Sequence, residues 1–244
     1  MFAMKKKSPE KQNSPPKKFL VFSAHPDDVD FACAGTVAKL VREGNEIAYC
    51  ILTNGEKGVH NVKQSKHAMV AMREREQRAA ATVVGVEKVT FLHHADGGLE
   101  NTKNVRREVT KVIREIKPDI IIAHDPGNCR FDSFGRFHRD HRIAAEIVFD
   151  AVYPAVGSDG FFPELAREGI FPHQIREMWF YGSDRPDLFF DISETIGLKI
   201  EALSRHESQI RNREELPHRL HLRAKEAGKE KKMPCAETFR RLSF

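Results

Sequence analysis

One histidine and two adjacent aspartates come shortly after an apolar run near the start of the chain. The run is residues 19–22, and His25, Asp27 and Asp28 follow it in the stretch AHPDD. Neighbouring carboxylates repel each other and resist burial unless a cation relieves the conflict. Histidine and aspartate are also zinc ligands, and a catalytic zinc usually has three protein ligands and an open position for water. The stretch therefore predicts a metal site that needs a further ligand from elsewhere in the chain.

A second stretch, HRDH, offers that ligand. His138, Asp140 and His141 open a predicted helix, and residues three apart project from neighbouring faces of its first turn. One histidine can therefore bind a metal while the other faces a substrate. A helix N-terminus lowers the pKa of a histidine and favours anions nearby. The carboxylate of Asp140 could orient His138 through the second nitrogen of its ring.

The elements that position these residues alternate between strands and helices. Repeated strand–helix units predict a parallel, doubly wound sheet with right-handed crossovers. Such sheets bind ligands beyond the carboxyl ends of their strands, and both stretches fall at such ends. The predicted strands are 18–24, 46–53, 87–94, 119–124, 175–182 and 187–192, and the predicted helices are 35–43, 66–84, 102–117, 138–152 and 193–205.

Each stretch also has a simpler interpretation. AHPDD alone could be a strand-to-loop turn, and HRDH alone could be a solvent-exposed helix start. Their joint position at the strand ends of one sheet favours the metal site. His93, His94 and His124 also end strands, and the sequence leaves open whether they belong to the core or to the site.

The composition is that of an ordinary globular protein. The chain has 244 residues, of which 40% are apolar and 31% charged, enough for one α/β domain with a real core. No apolar run approaches the roughly 20 residues of a membrane span, and the lysine-rich N-terminus lacks the apolar segment of a secretory signal. The four cysteines form no CxxC pair, which favours reduced thiols and a cytoplasmic location.

The charge divides the chain into three segments. Residues 1–18 carry +5, residues 19–210 carry −5 and residues 211–244 carry +5, for a net charge of +5. We expect a disordered basic arm at 1–17, a single domain at 18–210 and a basic C-terminal tail at 211–244 that could dock on it. Basic ends can contact nucleic acid or an anionic surface. Solvated ends explain the charge more simply, so we predict neither a nucleic-acid nor a membrane partner.

Six motifs, in order over residues 18–210, resemble the PIG-L/LmbE-like family of zinc-dependent N-acetylglucosaminyl deacetylases. The two most specific are AHPDDVDFACAGT and HRDHR, and the supporting ones are TNGEKG, REREQRAAATVVGV, HADGGL and DISETIGLKIEALSRHESQ. The resemblance implies a Rossmann-like, mostly parallel sheet with helices on both faces and extra C-terminal strands. Ala34, Asn54 and Arg139 depart from the family pattern, but none of them removes a group that takes part in catalysis.

The resemblance also implies a metal centre. Its ligands would be His25, Asp28 and His141. The metal would be Zn²⁺, although another divalent first-row metal would suit the same ligands. A zinc ion in such a site lowers the pKa of its water toward about 7 and so makes hydroxide available at neutral pH.

Other residues acquire roles through the same resemblance. Asp27 would be the general base, His138 would stabilise the oxyanion, and Asp140 would hold His138. Arg73 and Asp96 match positions that bind sugar hydroxyls or phosphate-like groups. For Arg73, an ion pair on the helix surface remains the alternative.

We therefore predict a metal-dependent hydrolase that removes the N-acetyl group from an N-acetylglucosamine-type sugar or glycoconjugate. Its partner would be a small N-acetylated sugar, and the resemblance is also compatible with a homo-oligomer. Two alternatives stay open: a related zinc amidase that acts on a thiol-sugar conjugate, and a non-catalytic α/β module that binds a sugar or nucleotide. The absence of GxGxxG after the first strand argues against a dinucleotide-dependent dehydrogenase.

Overall fold

Strands alternate with helices along the chain in the predicted order. The computed structural model describes residues 15–58, 65–130, 135 and 137–244, so the predicted N-terminal arm lies outside the described residues as far as residue 14. Within the described ranges the chain forms seven strands. They are Lys18–Ser23 (β1), Glu46–Thr53 (β2), Lys88–His94 (β3), Ile120–His124 (β4), Glu177–Tyr181 (β5), Leu188–Asp191 (β6) and Ala236–Ser243 (β7).

Helices connect most of these strands. The α-helices are Asp28–Arg42 (α1), Lys66–Val83 (α2), Lys103–Ile116 (α3), Arg139–Asp150 (α4), Pro163–Arg167 (α5), Ile196–Ser204 (α6) and Leu216–Gly228 (α7). A π-helical turn, Ala151–Val156, extends α4, and a 3₁₀ turn, Lys229–Lys231, extends α7. None of the helices in the described ranges combines the length and the apolar character that a membrane crossing requires.

Five neighbouring parallel strands form most of the sheet. The strand order is β3-β2-β1-β4-β5-β7-β6, and β7 runs antiparallel to both of its neighbours. Val21 of β1 is in register with Tyr49 of β2 on one side and Ile122 of β4 on the other. The strand order therefore reverses between β1 and β4, and α/β sheets bind ligands in the crevice that such a reversal leaves at the carboxyl ends of the strands.

The side chains of β1 show that the sheet is covered on both faces. Leu20 and Phe22 pack in one core cluster with residues of α3 and α4, while Phe19 and Val21 pack in a second cluster with residues of α1 and α2. All four side chains are buried, as expected when alternate residues of a strand point to opposite covered faces. The predicted fold class, a mostly parallel sheet with helices on both faces and extra C-terminal strands, is confirmed.

The first helix begins earlier than the sequence predicts. The predicted helix starts at residue 35, whereas α1 starts at Asp28. Asp27 is the residue before the helix, and its φ of 91° lies in the left-handed region of the backbone. Asp28 and Asp30 then lie in the first helical turn, where the backbone N–H groups favour negative charge.

The C-terminal segment is part of the sheet. Residues 211–244, which the charge pattern set apart as a basic tail, supply α7 and the strand between β5 and β6. Trp179 of β5 pairs with Arg241 of β7, and Phe190 of β6 pairs with Glu237. Without β7, the strands β5 and β6 would have no shared partner.

A buried ion pair joins β7 to α6, and both of its side chains hydrogen-bond to the backbone of α1. The carboxylate of Glu237 accepts the backbone N–H groups of Gly35 and Thr36 at 3.1 and 2.6 Å. Nζ of Lys199 in α6 donates to the same carboxylate at 2.5 Å and to the carbonyl of Phe31 at 2.8 Å. Both charged side chains are less than 10% exposed. Because either charge would be costly to bury alone, the pair holds three elements in one fixed arrangement.

We expect Glu237→Gln to lower the free energy of unfolding by about 3–5 kcal/mol, since it leaves the charge of Lys199 buried without its partner. Glu201→Gln is the matched control, because Glu201 pairs with Arg205 at the surface and an exposed pair contributes under about 1 kcal/mol. Urea unfolding followed by the fluorescence of Trp179 measures both. Equal losses in the two variants would contradict the role assigned to the buried pair.

Candidate metal centre and active site

Side chains from three segments meet in the crevice between β1 and β4. His25 follows β1, His124 ends β4, and His138 and His141 lie at the start of α4. The centroid of the His25 ring lies 4.8 Å from that of the His138 ring and 5.3 Å from that of the His141 ring. The structure thus brings together the AHPDD and HRDH stretches, which are more than 100 residues apart in the chain.

Carboxylates surround the ring of His25. Its Nε2 lies 3.2 Å from an oxygen of Asp96 and 3.2 Å from an oxygen of Asp140, and its Nδ1 lies 3.4 Å from Oδ2 of Asp28. Burial lowers the pKa of His25, but the hydrogen bonds with Asp140, Asp28 and Asp96 outweigh it and raise the pKa to about 12. The proton on Nε2 serves Asp96 and Asp140, so Nδ1 is the ring atom that faces Asp28, with a second proton or with a metal ion in its place.

His141 has the complementary arrangement. Its Nδ1 lies 2.6 Å from the carbonyl oxygen of Gly135, so Nδ1 carries a proton and donates it. Its Nε2 lies 3.1 Å from Oδ1 of Asp28. One nitrogen of each ring therefore faces the same carboxylate, and, although burial opposes it, Asp28 raises the pKa of His141 as well. The facing nitrogens hold protons toward Asp28, and a metal ion bound between them would replace those protons. Histidines that bind metals usually donate their second ring N–H to a fixed oxygen in this way.

These donors fit a divalent metal. Ligand atoms held 2.0–2.1 Å from a tetrahedral zinc lie about 3.3 Å from one another. Nδ1 of His25 lies 3.4 Å from Oδ2 of Asp28, and Nε2 of His141 lies 3.1 Å from Oδ1, so the two histidines face different oxygens of one carboxylate. Three groups of described residues have ligand atoms within 4.8 Å of one another. The groups are His25–His138–His141, Asp28–His124–His141 and His25–Asp96–Asp140. The predicted ligand set is not one of the three, but each of its members belongs to at least one.

His124 is a site residue that the sequence left undecided. Its Nε2 lies 3.6 Å from Oδ2 of Asp28 and accepts the N–H of Ala24 at 3.4 Å, and its ring stacks on that of His141. Burial and the charge of His141 lower the pKa of His124 to about 4, so the ring is neutral at neutral pH. The available signal in the sequence was its position at the end of a strand that neighbours β1.

Asp27 lies in a backbone conformation that non-glycine residues rarely adopt, with φ of 91°. Two side chains of α2 hold it there. Gln77 accepts its backbone N–H at 2.7 Å, and the guanidinium of Arg73 lies 3.0 Å from its Oδ2. Burial raises the pKa of Asp27 to about 6, although Arg73 lowers it, and the neighbouring charge of Asp28 adds to the rise. A carboxyl group with this pKa can both accept and return a proton near neutral pH.

Arg73 and Asp96, which were predicted to bind substrate, contact protein groups in this structure. Arg73 is 3% exposed and donates to two backbone carbonyls at 2.5 and 2.8 Å as well as to Asp27. Asp96 is buried, accepts a backbone N–H at 3.0 Å and faces Nε2 of His25. The structure therefore places both residues behind the site, where Arg73 positions Asp27 and Asp96 positions His25.

Asp140 contacts a different histidine from the one predicted. Its Oδ2 lies 3.2 Å from Nε2 of His25 and accepts the N–H of Gly97, whereas the prediction assigned this carboxylate to His138. The cause is helix geometry, because residues two apart point to nearly opposite sides of a helix. His138 accepts the backbone N–H of Asp140 on its Nδ1 at 3.2 Å. Burial and the charges of His25 and His141 lower the pKa of His138, so the neutral ring carries its proton on Nε2.

A cavity of about 750 Å³ opens beside these groups. Asp28, His124 and His141 border it, Tyr181 of β5 lies on another side, and α7 forms part of its wall. The volume lies within the range of small-molecule sites in proteins. The arrangement thus combines metal-binding groups, an aspartate able to exchange protons and space for a ligand.

Comparison with known proteins places the chain in a family. The family described as "PIG-L: GlcNAc-PI de-N-acetylase" matches residues 20–152, more than half of the chain. The chain belongs to this family. Among its relatives, diacetylchitobiose deacetylase of Thermococcus kodakarensis is 34% identical over 80% of this chain and 70% of its own. A probable N-acetyl-α-D-glucosaminyl L-malate deacetylase 2 of Bacillus anthracis is 28% identical over 54% of this chain and 58% of its own.

Two solved structures share the architecture of this chain. N,N′-diacetylchitobiose deacetylase from Pyrococcus horikoshii, complexed with its inhibitor, has a TM-score of 0.86 and 28% identity and covers 93% of this chain and 84% of its own. GalB, a 4-carboxy-2-hydroxymuconate hydratase from Pseudomonas putida, has a TM-score of 0.76 at 20% identity and covers 93% of this chain and 96% of its own. The second likeness concerns the fold alone. The predicted family and the predicted enzyme class, a deacetylase, are confirmed.

We expect Arg73 and Asp27 to be energetically coupled in this deacetylase. Arg73→Met should lower the free energy of unfolding by about 3 kcal/mol, because it leaves the carboxylate of Asp27 without its cation. The double variant Arg73→Met/Asp27→Asn should lose less than the sum of the single variants, by about 1–3 kcal/mol. Urea unfolding of the three variants measures the coupling.

The control for this cycle is Arg78→Met. Arg78 lies on the same helix but donates to the carbonyl of Val89 and stacks over Phe91. Its effect should add to that of Asp27→Asn, since distant sites without shared partners are usually independent. Additive losses for Arg73 and Asp27 as well would show that the arginine does not position the aspartate.

Proposed function

We propose that this protein is a zinc-dependent hydrolase that removes the N-acetyl group from an N-acetylglucosamine-type sugar or glycoconjugate. The observation that carries the proposal is the convergence on Asp28. His25 and His141 each hold one ring nitrogen on a protein oxygen and direct the other toward this carboxylate. Metal-binding histidines have this arrangement, and membership of a deacetylase family supports the reaction class.

In this proposal His25, Asp28 and His141 hold the metal. Two nitrogen ligands and one oxygen ligand suit zinc, and a set of three protein ligands leaves a tetrahedral position for water or substrate. When bound, such a metal supplies Lewis acidity, which polarises an amide carbonyl and makes a water molecule more acidic. Asp140 and the carbonyl of Gly135 fix the two rings, so the ligands are oriented before a metal binds.

Asp27 acts as the general base. It precedes the ligand Asp28 in the chain, and its carboxylate is held by Arg73. With a pKa of about 6, most molecules carry the carboxylate at neutral pH. The carboxylate can take a proton from the attacking water and then deliver it to the nitrogen of the leaving amine.

His138 stabilises the negative charge that develops on the amide oxygen. Because its Nδ1 accepts a backbone N–H, the neutral ring has its proton on Nε2 and can donate it in a hydrogen bond. The ring lies 4.8 Å from that of His25 and 5.0 Å from that of His141, measured between centroids. A preoriented donor beside the metal ligands favours the tetrahedral oxyanion over the planar amide.

The substrate class is supported by the relatives and by the cavity. The two relatives named above are deacetylases of diacetylchitobiose and of N-acetylglucosaminyl L-malate. Both names describe an acetyl group removed from an acetylated amino sugar that carries a further group. The cavity of about 750 Å³ has room for a sugar and a second group of similar size.

Acetate release by the purified, zinc-loaded protein tests this function. The panel contains N-acetylglucosamine, diacetylchitobiose, a nucleotide-linked form, and the malate and inositol conjugates of N-acetylglucosamine. We expect acetate from at least one member, loss of the activity when a chelator removes the metal, and recovery when zinc is returned. Binding of panel members without acetate release would indicate a binding module. A thiol-sugar conjugate of N-acetylglucosamine is assayed beside the panel, and its cleavage without acetate release from any panel member would indicate the related amidase.

A pair of variants separates the proposed base from the proposed ligands. Asp27→Ala should lower kcat by at least about 100-fold and keep the metal, because general bases contribute this much to catalysis. His141→Ala should lose both metal and activity. Zinc analysis after gel filtration measures the metal content. His94→Ala is the control, since His94 pairs with Glu108 away from the crevice, and it should keep both properties.

Near-normal turnover in Asp27→Ala would remove this residue from the role of base. Full zinc occupancy in His141→Ala would contradict the proposed ligand set. The two results are independent, because one concerns proton transfer and the other concerns metal affinity.

A further inference from the structure

One wall of the large cavity is a single face of α7. Arg219, Leu220, Arg223, Ala224 and Ala227 border the cavity, and their spacing of three and four residues places them on one side of the helix. Two of the proposed metal ligands, Asp28 and His141, border the same cavity. A molecule that fills the cavity therefore contacts both the metal centre and α7.

Among the described residues, the two arginines on this wall have no ion pair, whereas the other charges around the cavity are matched. Lys199 pairs with Glu237 at 2.5 Å, and Asp125 lies 3.9 Å from Arg240. Asp28 is matched by the histidines of the centre. Within the described part of the chain, no carboxylate lies within ion-pair distance of Arg219 or Arg223.

The placement of these arginines is unfavourable for the helix alone. Like charges four residues apart repel across one turn and destabilise a helix by a few tenths of a kcal/mol. Arginine side chains present a planar fork of N–H donors that matches a carboxylate or a phosphate. The small side chains of Ala224 and Ala227 beside them leave space for such a group. The same arginines also border a second cavity of about 270 Å³, so the basic face is accessible from two sides.

We infer that Arg219 and Arg223 form an anion-binding subsite, and that the substrate carries a phosphate or carboxylate group on the part that lies beyond its N-acetylated sugar. The inference rests on the proposed function for the orientation of the substrate, with the acetamide at the metal centre and the anion at α7. The basic C-terminal segment thereby acquires a role within the active-site cavity.

The test uses a charge-removing double variant and three substrates. The variant is Arg219→Gln/Arg223→Gln, and the control is Lys225→Gln/Lys232→Gln, which removes the same charge from exposed residues that do not border the cavity. One substrate, the methyl glycoside of N-acetylglucosamine, is neutral. The other two, N-acetylglucosamine 1-phosphate and the malate conjugate of N-acetylglucosamine, are anionic. The values of kcat and KM for acetate release are measured at low ionic strength.

We expect the wild-type protein to prefer at least one anionic substrate over the methyl glycoside by about tenfold or more in kcat/KM, a gain of the size that charge-assisted hydrogen bonds provide. The double variant should lose this preference through a higher KM. Its activity on the methyl glycoside, and the activities of the control on all substrates, should stay within about twofold. A comparison of the two anionic substrates identifies which group the subsite takes.

Calorimetric titration of glucosamine 1-phosphate separates this inference from the proposed function, because this molecule has no acetyl group to lose. Binding to the wild-type protein but not to the double variant, with no acetate released from any substrate, would support the subsite and overturn the deacetylase. Acetate release without an arginine-dependent preference for either anion would support the deacetylase and overturn the subsite. An equal loss on neutral and anionic substrates would overturn it as well.

Discussion

Buried negative charge at the carboxyl end of the sheet is the constraint on which the rest of the structure depends. Asp27, Asp28 and Asp30 lie within four residues at the start of α1, and Asp30 is fully buried. A carboxylate is costly to bury unless charged or hydrogen-bonding groups match it. The matching groups come from distant segments, for example Arg73 of α2 for Asp27 and His206, which follows α6, for Asp30. The site is therefore complete only when most of the domain has folded around it.

The C-terminal strand extends this dependence to the far side of the sheet. Glu237 of β7 accepts two backbone N–H groups of α1 and pairs with Lys199 of α6. The first turn of α1 carries Asp28, the residue on which the two histidines converge. The last strand, β7, thus fixes α1, although about 200 residues of the chain separate the two, and α1 carries the proposed ligand Asp28. Because the pair is buried, a displacement of β7 would remove Glu237 and leave the charge of Lys199 beside α1 without its partner.

Local patterns were sufficient to predict the parallel sheet and the meeting of His25 with His141, because both depend only on strand ends lying at one edge. They were insufficient where a partner comes from a separate loop or strand. The contact of Asp140 with His25 depends on which side of α4 faces the crevice and on the loop after β3, which supplies the N–H of Gly97. The burial of Arg73 depends on how α2 packs against the domain. The position of β7 was not predictable either, since the polar stretch TFRRL has little of the alternation expected of a strand.

The proposed metal centre and the proposed anion subsite occupy different parts of this chain. The family match covers residues 20–152, which include every residue proposed to bind the metal or move a proton, whereas α7 and β7 follow it. The fold alone does not define the reaction, as the hydratase GalB shares it. The ligands are fixed by contacts behind the crevice, while α7 borders the cavity with exposed arginines. Side chains on α7 can therefore change with little effect on the proposed ligands, because none of the contacts that orient those ligands comes from α7.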